Sequence, residues 1–272
     1  MEYCGEITSL KDLHKVLKAV QTNSINLSGC VQYFRGHGSC NYKLLSNISR
    51  HFTDVKLLHA TEEKIISDIK EKIEKTSNQE YFHVPQNSNS LDQDWYWLTQ
   101  AQHLGIPTRL LDWTLCSEIA LYFAVSDNCY KNKDGDLWVF YVPDELNIYN
   151  QCLNISTIKP LQVDRDLFVS IPIHWDKNYE KNEPQRNILS QQGKFFVRSL
   201  LQSLIPLDDE AIYQKYLLRY KIPSNYKSNL LSELKSLNYN SKTIYKTVDK
   251  RMLTFKEELI KKYNLSTKKC CS

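Results

Sequence analysis

The sequence lacks the glycine-rich and serine-centred motifs that mark several large enzyme classes. Only seven of its 272 residues are glycine, and none of the patterns G-x-x-x-x-G-K-[ST], G-x-G-x-x-G or G-x-S-x-G occurs. These patterns let the backbone approach a phosphate closely or hold a nucleophile on a sharp turn. Their absence disfavours a P-loop enzyme, a Rossmann enzyme and an α/β-hydrolase.

Metal-binding spacings are also missing. The eight cysteines include no C-x-x-C pair, and no H-E-x-x-H accompanies them. A zinc site needs ligands at such spacings. We therefore expect no metal, and we expect the cysteines to be free thiols in a reducing compartment.

Long apolar runs and a strong excess of one charge are absent as well. No stretch approaches the roughly 18 apolar residues of a membrane helix, and the start MEYCGEITSL lacks the basic and then apolar pattern of a signal peptide. We therefore expect a cytoplasmic protein without a membrane partner. The 35 basic and 31 acidic residues give a net charge of +4, and this mild, dispersed balance disfavours a nucleic-acid partner.

The sequence does contain clear helical periodicity. Apolar residues recur at helical spacing over 7–20, where Ser9 is a suitable cap, and over 55–75. Further helices are predicted around 94–104 and from Ser117 onwards. After residue 209, helical patterns cover 210–220 and 228–237.

Strand signals alternate with these helices. Aromatic or alternating segments predict strands at 30–38, 108–113, 134–142, 161–174 and 186–199. The stretch 77–90 is rich in Asn, Ser and Gln and is predicted to be a loop.

These elements predict the α+β class. We expect a single domain with a mixed or antiparallel central sheet flanked by helices, and a helical C-terminal region. The predicted divisions are an N-terminal helical segment (1–27), a central domain (28–205), and a helical C-terminal region (206–272) that packs on the same domain.

The stretch from Gln100 to Ala124 holds the densest set of chemically interesting residues. Pro107 disfavours helix at the preceding residue, so the helix before it should end near Leu104, with Gly105 as a left-handed cap. The following residues should be extended. Strand alternation then predicts two groups on opposite sides: Arg109, Leu111 and Trp113, and Thr108, Leu110 and Asp112.

The charged residues of this stretch, together with Arg35 earlier in the chain, can either bind a ligand or pair with one another inside the fold. Arg35 ends a predicted strand beside glycines, so its planar fork of donors can bind a phosphate or carboxylate ligand, or it can pair with a buried acid such as Asp112. Arg109 and Asp112 each need a partner if they are buried. A network with Arg35 would supply those partners without any ligand. His103 can be either a satisfied helix-end residue or a general base.

Several blocks together resemble the FRG domain family, which is named for a Phe-Arg-Gly motif. Phe34, Arg35 and Gly36 form that motif, and the matching residues Tyr42, Leu45, Arg50 and Glu62 follow it. The most specific block is QHLGIPTRLLDWT at 102–114, which precedes ALYFA at 120–124. The later Q-x-G-x-F element is matched by Gln191, Gly193 and Phe195. The resemblance covers roughly residues 28–200, and His37 stands where the family commonly has Gln.

The order of these blocks is also similar to that of an ADP-ribosyltransferase fold. This similarity implies an enzyme that acts on NAD or another nucleotide, by ADP-ribosyl transfer or NAD glycohydrolysis, with NAD as substrate rather than as a resident cofactor. Ionisable residues converge on the ends of the predicted strands, so we expect a polar cleft formed by Arg35, His103, Arg109 and Asp112. The expected catalytic residues are Arg35, His103, Asp112 and Gln191. The expected ligand-binding residues are His37, Tyr42, Thr108, Arg109, Trp113 and Thr114.

These roles differ in kind. Arg35 would hold a phosphate or ribose of NAD, and Tyr42 or Trp113 would stack on a ring. Thr114 would mark the strand on the nicotinamide side, and His103 or Asp112 would transfer protons. Gln191 lies nearest to the position where the fold has its catalytic glutamate.

The resemblance leaves more than one kind of function open. The leading expectation is an NAD-processing effector of a bacterial defence or toxin system. The alternative is a non-enzymatic module that binds a ligand or regulates a protein partner, with the motif serving only to hold the fold. A third interpretation is RNA binding through tyrosine and lysine side chains.

Overall fold

The fold is built on one seven-stranded sheet. A computed structural model of the chain describes residues 1–20, 30–75, 90–142, 163–169, 192–244 and 250–265. The strands are β1 (Gly5–Glu6), β2 (Val31–His37), β3 (Leu110–Thr114), β4 (Gly135–Val142), β5 (Leu167–Val169), β6 (Gly193–Val197) and β7 (Leu217–Ile222). Their spatial order is β1-β7-β4-β2-β3-β6-β5. The β1–β7 pair is parallel and the other pairs are antiparallel, so the sheet is mixed, as predicted.

Eight α-helices lie within the described ranges. They are α1 (Leu10–Val20), α2 (Val55–Lys75), α3 (Ser90–His103), α4 (Ser117–Val125), α5 (Ala211–Gln214), α6 (Lys227–Ser236), α7 (Ser241–Ile244) and α8 (Lys250–Lys262). The predicted helices at 7–20, 55–75 and 228–237 and the one from Ser117 are confirmed within a few residues. Ser9 caps α1, since its hydroxyl accepts a hydrogen bond from the backbone N–H of Asp12 at 3.2 Å. The predicted loop at 77–90 lies outside the described residues, apart from Ser90.

One prediction for the C-terminal region was wrong. Residues 210–220 were expected to be helical, but the helix there ends at Gln214, and Leu217–Ile222 form strand β7. Strand β7 pairs with β4 on one side and with β1 on the other, and Leu217, Tyr220 and Ile222 are buried. These backbone pairs outweigh the helical spacing of the local sequence, because strand preference depends on the neighbours that a strand meets.

The two faces of the sheet are covered differently. Phe34 and Thr114 are directly opposed across β2 and β3, so they share a face, and helices pack on that face in two groups. Helices α1, α4 and α6 cover Phe34, Leu137 and their neighbours, and helices α2, α3 and α8 cover Leu110, Phe195 and theirs. The opposite face holds an aromatic cluster that includes Tyr33, Trp113, Trp138 and Phe140. We call the face that carries Phe34 and Thr114 the helical face, and the opposite face the aromatic face.

Helix α3 ends in a motif that fixes the start of the next segment. Gly105 has φ +71°, its N–H donates to Gln102 O, and the N–H of Ile106 donates to Ala101 O, both at 2.9 Å. This is a Schellman C-cap, in which glycine at the left-handed position satisfies the last carbonyls of the helix. The predicted cap at Gly105 is thus confirmed, and it turns the chain from α3 into β3.

The sheet has a weak junction in its middle. Strand β2 pairs with β4 at seven positions from Val31 to His37, and β3 pairs with β6 at all five of its positions. Between β2 and β3, both fully described, Phe34–Thr114 is the single registered pair. The strands therefore diverge beyond that pair, leaving Arg35–His37 and Leu110–Trp113 on either side of a gap. We call this gap the seam.

The five cysteines in the described ranges are free thiols. No helix in those ranges is both long enough and apolar enough to cross a membrane.

Candidate functional site

The Phe-Arg-Gly motif sits on β2, and each of its three residues has a different task. Phe34 is buried in the core on the helical face. Gly36 faces the same way, and a Cβ at that position would collide with the backbone carbonyl of Ala120 in α4. Only glycine therefore allows α4 to pack this closely on β2. Arg35, between them, points to the aromatic face, where its direct neighbour on β4 is Trp138.

The guanidinium of Arg35 occupies the seam. Its Nη1 donates to the backbone carbonyl of Asp112 on β3, and Nη1 also lies 4.0 Å from Oδ2 of Asp112. The side chain thus replaces backbone hydrogen bonds that the diverging strands no longer make to each other. It keeps 20% of its surface exposed, so it closes the seam only partly.

Asp112 is the accessible carboxylate of the seam. Its side chain is 55% exposed, yet surrounding protein removes enough water to raise its pKa, against the lowering effects of Arg35 and Gln102. Asp112 is therefore a carboxylate that solvent or a ligand can reach, beside the guanidinium of Arg35 in the seam.

Helix α3 holds this carboxylate from the other side. Nε2 of Gln102 donates to Oδ2 of Asp112 at 2.6 Å, and Oε1 of Gln102 accepts from the hydroxyl of Thr108 at 2.7 Å. Thr108 is fully buried. The helix end and the turn after it thereby fix one rotamer of Gln102, which orients Asp112.

His37 links Arg35 to a buried acid. Nε of Arg35 donates to Nε2 of His37 at 3.0 Å, which leaves the imidazole proton on Nδ1, 3.2 Å from Oδ1 of Asp136. Burial lowers the pKa of His37, although Asp136 opposes the shift. The imidazole is therefore neutral at neutral pH. The fully buried Asp136 is neutralised by Arg219, whose Nε and Nη2 donate to Oδ2 at 2.9 and 2.7 Å.

Arg109 lies in a separate, buried ion pair. Its Nε donates to Oε2 of Glu62 at 2.7 Å and its backbone N–H donates to Oε1 at 2.8 Å, and both side chains are at most 1% exposed. The expected network of Arg109 with Arg35 and Asp112 thus takes another form, with Glu62 of α2 as the partner. Arg109 precedes the first residue of β3, so the strand alternation predicted from Thr108 does not extend to it.

The remaining predicted site residues lie around the seam without all lining it. Trp113 is 2% exposed within the aromatic cluster, and the buried hydroxyl of Thr114 accepts from the N–H of Cys116 at 3.1 Å. The ring of His103 packs edge-on against Phe195, the direct neighbour of Asp112 on β6, and burial lowers its pKa to about 4. Tyr42 contacts His37 edge-on, with the ring centroids 6.1 Å apart. Gln191 lies outside the described residues.

The structure thus brings Arg35, His37 and Asp112 together, with Tyr42 and His103 nearby. Sequence reasoning did not assign roles to Gln102, Asp136 or Arg219. Gln102 could have been found, since it belongs to the same block as Asp112. Asp136 and Arg219 are 83 residues apart in the chain, and no local pattern connects them.

Comparison with known proteins identifies part of the chain. The family model of the FRG domain matches residues 31–133. No curated protein and no solved structure matches the chain. Residues 31–133, which contain both sides of the seam, are therefore an FRG domain.

Proposed function

We propose that the seam binds a nucleotide and that the chain processes NAD, as a glycohydrolase or an ADP-ribosyltransferase. The observation that carries this proposal is the exposed carboxylate of Asp112 beside the guanidinium of Arg35. One such charge pair at a gap in the sheet, with Trp138 beside Arg35, suits a ligand that combines phosphates, hydroxyl groups and rings.

The proposed chemistry is displacement at the ribose. The bond between C1′ and the nicotinamide nitrogen breaks, and nicotinamide leaves as a neutral molecule with the bonding electrons. The oxygen of water, or of an acceptor side chain, forms the new bond to C1′ and gives its proton to the carboxylate of Asp112. A carboxylate whose pKa is raised, as that of Asp112 is, accepts this proton more readily than an ordinary one.

The other residues would then position the substrate. Arg35 is suited to a phosphate or a ribose hydroxyl because its guanidinium is planar and permanently charged. Gln102 keeps Asp112 in one orientation. His103, with a buried Nε2 and a pKa of about 4, is neutral at neutral pH.

Nicotinamide release tests the proposal. The protein is incubated with NAD, and free nicotinamide is followed over time together with NAD binding. Asp112→Asn should lower the rate by at least roughly 100-fold, the usual contribution of a general base, with little change in melting temperature because the side chain is half exposed. Asp209→Asn is the matched control, since Asp209 is a carboxylate of similar exposure (46%) beside a cation, Lys43. If the wild-type protein neither releases nicotinamide nor binds NAD, the proposal is refuted.

A second candidate is a non-enzymatic module in which the motif holds the fold. The observation in its favour is that Arg35, His37 and Asp136 form a continuous chain of contacts inside the protein. In that case Arg35→Ala should lower the melting temperature sharply, by loss of a buried partner, while ligand binding at the seam is not detectable. If Arg35→Ala melts like the wild type and loses NAD binding, the structural interpretation fails.

The proposed biological setting is a bacterial defence or toxin system, following the resemblance in sequence. An enzyme of this kind would consume NAD in the cell that makes it. Expression of the wild-type chain in a bacterial host should therefore lower cellular NAD and slow growth, and expression of Asp112→Asn should do neither. Unchanged NAD in the presence of active, folded enzyme would argue against that setting.

A further inference from the structure

A second arginine lies on the same side of the sheet as Arg35. Arg50 follows the loop after β2, and its Cζ lies 5.0 Å above the ring centroid of Tyr42. Tyr42 contacts His37, and His37 accepts a hydrogen bond from Arg35. This chain of contacts places both guanidinium groups around the same histidine and tyrosine.

Arg50 has no carboxylate partner among the described residues. Its Nη2 donates to the backbone carbonyls of Lys43 and Leu45, at 2.7 and 2.9 Å. These bonds fix the plane of the guanidinium but do not neutralise its charge. The residue as a whole is exposed, so a ligand can reach the side chain.

Nearby acids are already engaged by other groups. Asp136 is paired with Arg219, and Asp208 accepts from the N–H of Leu44 and lies 3.3 Å from Nζ of Lys43. Asp112 is 4.0 Å from Arg35 and is shared with Gln102. Among these groups, the charge of Arg50 is therefore the one that is left without a paired carboxylate.

The two arginines influence each other electrostatically. Burial lowers the pKa of Arg35, and the charge of Arg50 lowers it further, against the effect of Asp112. The positive charges of both arginines also lower the pKa of His37. Two guanidinium groups that repel each other and are held rigidly are stabilised by an anion between them.

We infer that Arg35 and Arg50 form an anion subsite that binds the diphosphate of a nucleotide. Nη2 of Arg35, which makes no hydrogen bond to any described residue, and the other N–H groups of Arg50 would each donate to one phosphate. Tyr42 supports Arg50 through one ring face, and its hydroxyl is held by the hydroxyl of Tyr130 at 2.6 Å. The inference rests on the proposed function for its choice of ligand, but it makes a separate claim about binding.

Direct binding of inorganic pyrophosphate tests the subsite without any turnover. Titration calorimetry compares the wild type with Arg50→Gln and with Lys43→Gln. Both variants remove one positive charge from the same loop, but Lys43 is already neutralised by Asp208 and Asp209. We expect Arg50→Gln to weaken pyrophosphate binding by about tenfold or more, which is the loss of one charge-assisted hydrogen bond. Lys43→Gln should change it by less than about threefold.

A second pair of probes and a conservative variant complete the test. The affinity for ADP should change between the variants in the same way as the affinity for pyrophosphate. The affinity for adenosine, which has no phosphate, should be the same in all of them. Arg50→Lys keeps the charge but loses the fork that reaches two carbonyls, so it should retain only part of the affinity. Melting temperatures confirm that each variant is folded.

The outcomes separate this inference from the proposed function. Failure of the wild type to bind pyrophosphate or ADP overturns the subsite, even if nicotinamide is released from NAD. Equal losses in Arg50→Gln and Lys43→Gln also overturn it, because they would reflect only the general charge of the loop. Arg50-dependent binding of pyrophosphate without NAD turnover supports the subsite and counts against the enzyme.

Discussion

Arg35 and Arg109 carry the same guanidinium group, but the protein surrounds them differently. Arg109 is fully buried and faces Glu62, whereas Arg35 donates to a neutral imidazole and to a backbone carbonyl and keeps part of its surface exposed. Removing one partner of a buried pair destabilises a fold, whereas a guanidinium that is partly exposed and only 4.0 Å from its nearest carboxylate oxygen, as Arg35 is from Asp112, can still bind an anion. The two arginines of the motif region therefore divide into one structural residue and one candidate binding residue.

The Arg109–Glu62 pair gives a prediction for stability. Arg109→Leu should lower the free energy of unfolding by about 3–5 kcal/mol, because Glu62 is left as a buried, unpaired charge. The double variant Glu62→Leu/Arg109→Leu should recover much of this loss, since no charge is then buried. Urea denaturation of the three proteins measures the difference. A double variant that is no more stable than Arg109→Leu would show that packing, and not charge, causes the loss.

His103 gives a prediction for the dependence of stability on pH. Burial lowers its pKa to about 4, from about 6.5 in an unfolded chain, so the unfolded state binds the proton more tightly. The stabilisation is complete above about pH 6.5 and is lost as the pH falls towards 4, by at most about 3 kcal/mol. His37, whose pKa is also lowered, acts in the same direction.

His103→Phe isolates this effect, because it keeps a ring against Phe195 and removes the titrating group. Chemical denaturation near about pH 7.5 and about pH 5 should show a smaller acid-induced loss for the variant than for the wild type. The same loss in both proteins would place the acid sensitivity elsewhere.

At the scale of the elements, Gly36 allows β2 to approach α4 more closely than a residue with a side chain would. Of the described glycines, it is the one at which an added Cβ would come nearest to another atom, the carbonyl oxygen of Ala120. Gly36→Ala places a methyl group against the backbone of Ala120, so the strand and the helix must separate. We expect a loss of roughly 1–3 kcal/mol or more, as for other forced overpacking. Gly5→Ala is the matched control, since a Cβ on Gly5 of β1 meets only Tyr220 at an ordinary distance of 3.8 Å. Comparable melting temperatures for the two variants would contradict this account.

The elements also show what a sequence can predict. Helices α2 and α4 and strand β4 follow from apolar periodicity and turn residues that lie within each segment, and Gly105 was identified as a cap from its neighbours alone. Strand β7 was missed, because its state depends on β4 and β1 rather than on its own residues. For the same reason the pairing of Arg109 with Glu62, 47 residues away, could not be derived from local spacing.

At the scale of the whole molecule, the C-terminal region contributes a strand to the central sheet. Strand β7 lies between β1 and β4, and its Leu217 and Ile222 are buried. A chain that ends after residue 205 should therefore fail to fold cooperatively, because one edge of β4 loses its partner and β1 has nothing to pair with. Circular dichroism and a thermal melt are sufficient to measure this. A sharp melting transition in the shortened chain would contradict it.

The FRG segment and the folding unit have different boundaries. Residues 31–133 carry β2, β3 and α4 but stop short of β4, β6 and β7. Strand β2 gives its outer edge to β4, and β3 gives its outer edge to β6. In this chain, both flanks of the segment are thus completed by strands from outside it, β4 beside β2 and β6 beside β3. The seam therefore lies inside the matched segment, whereas the strands that hold its two sides in place come from beyond residue 133.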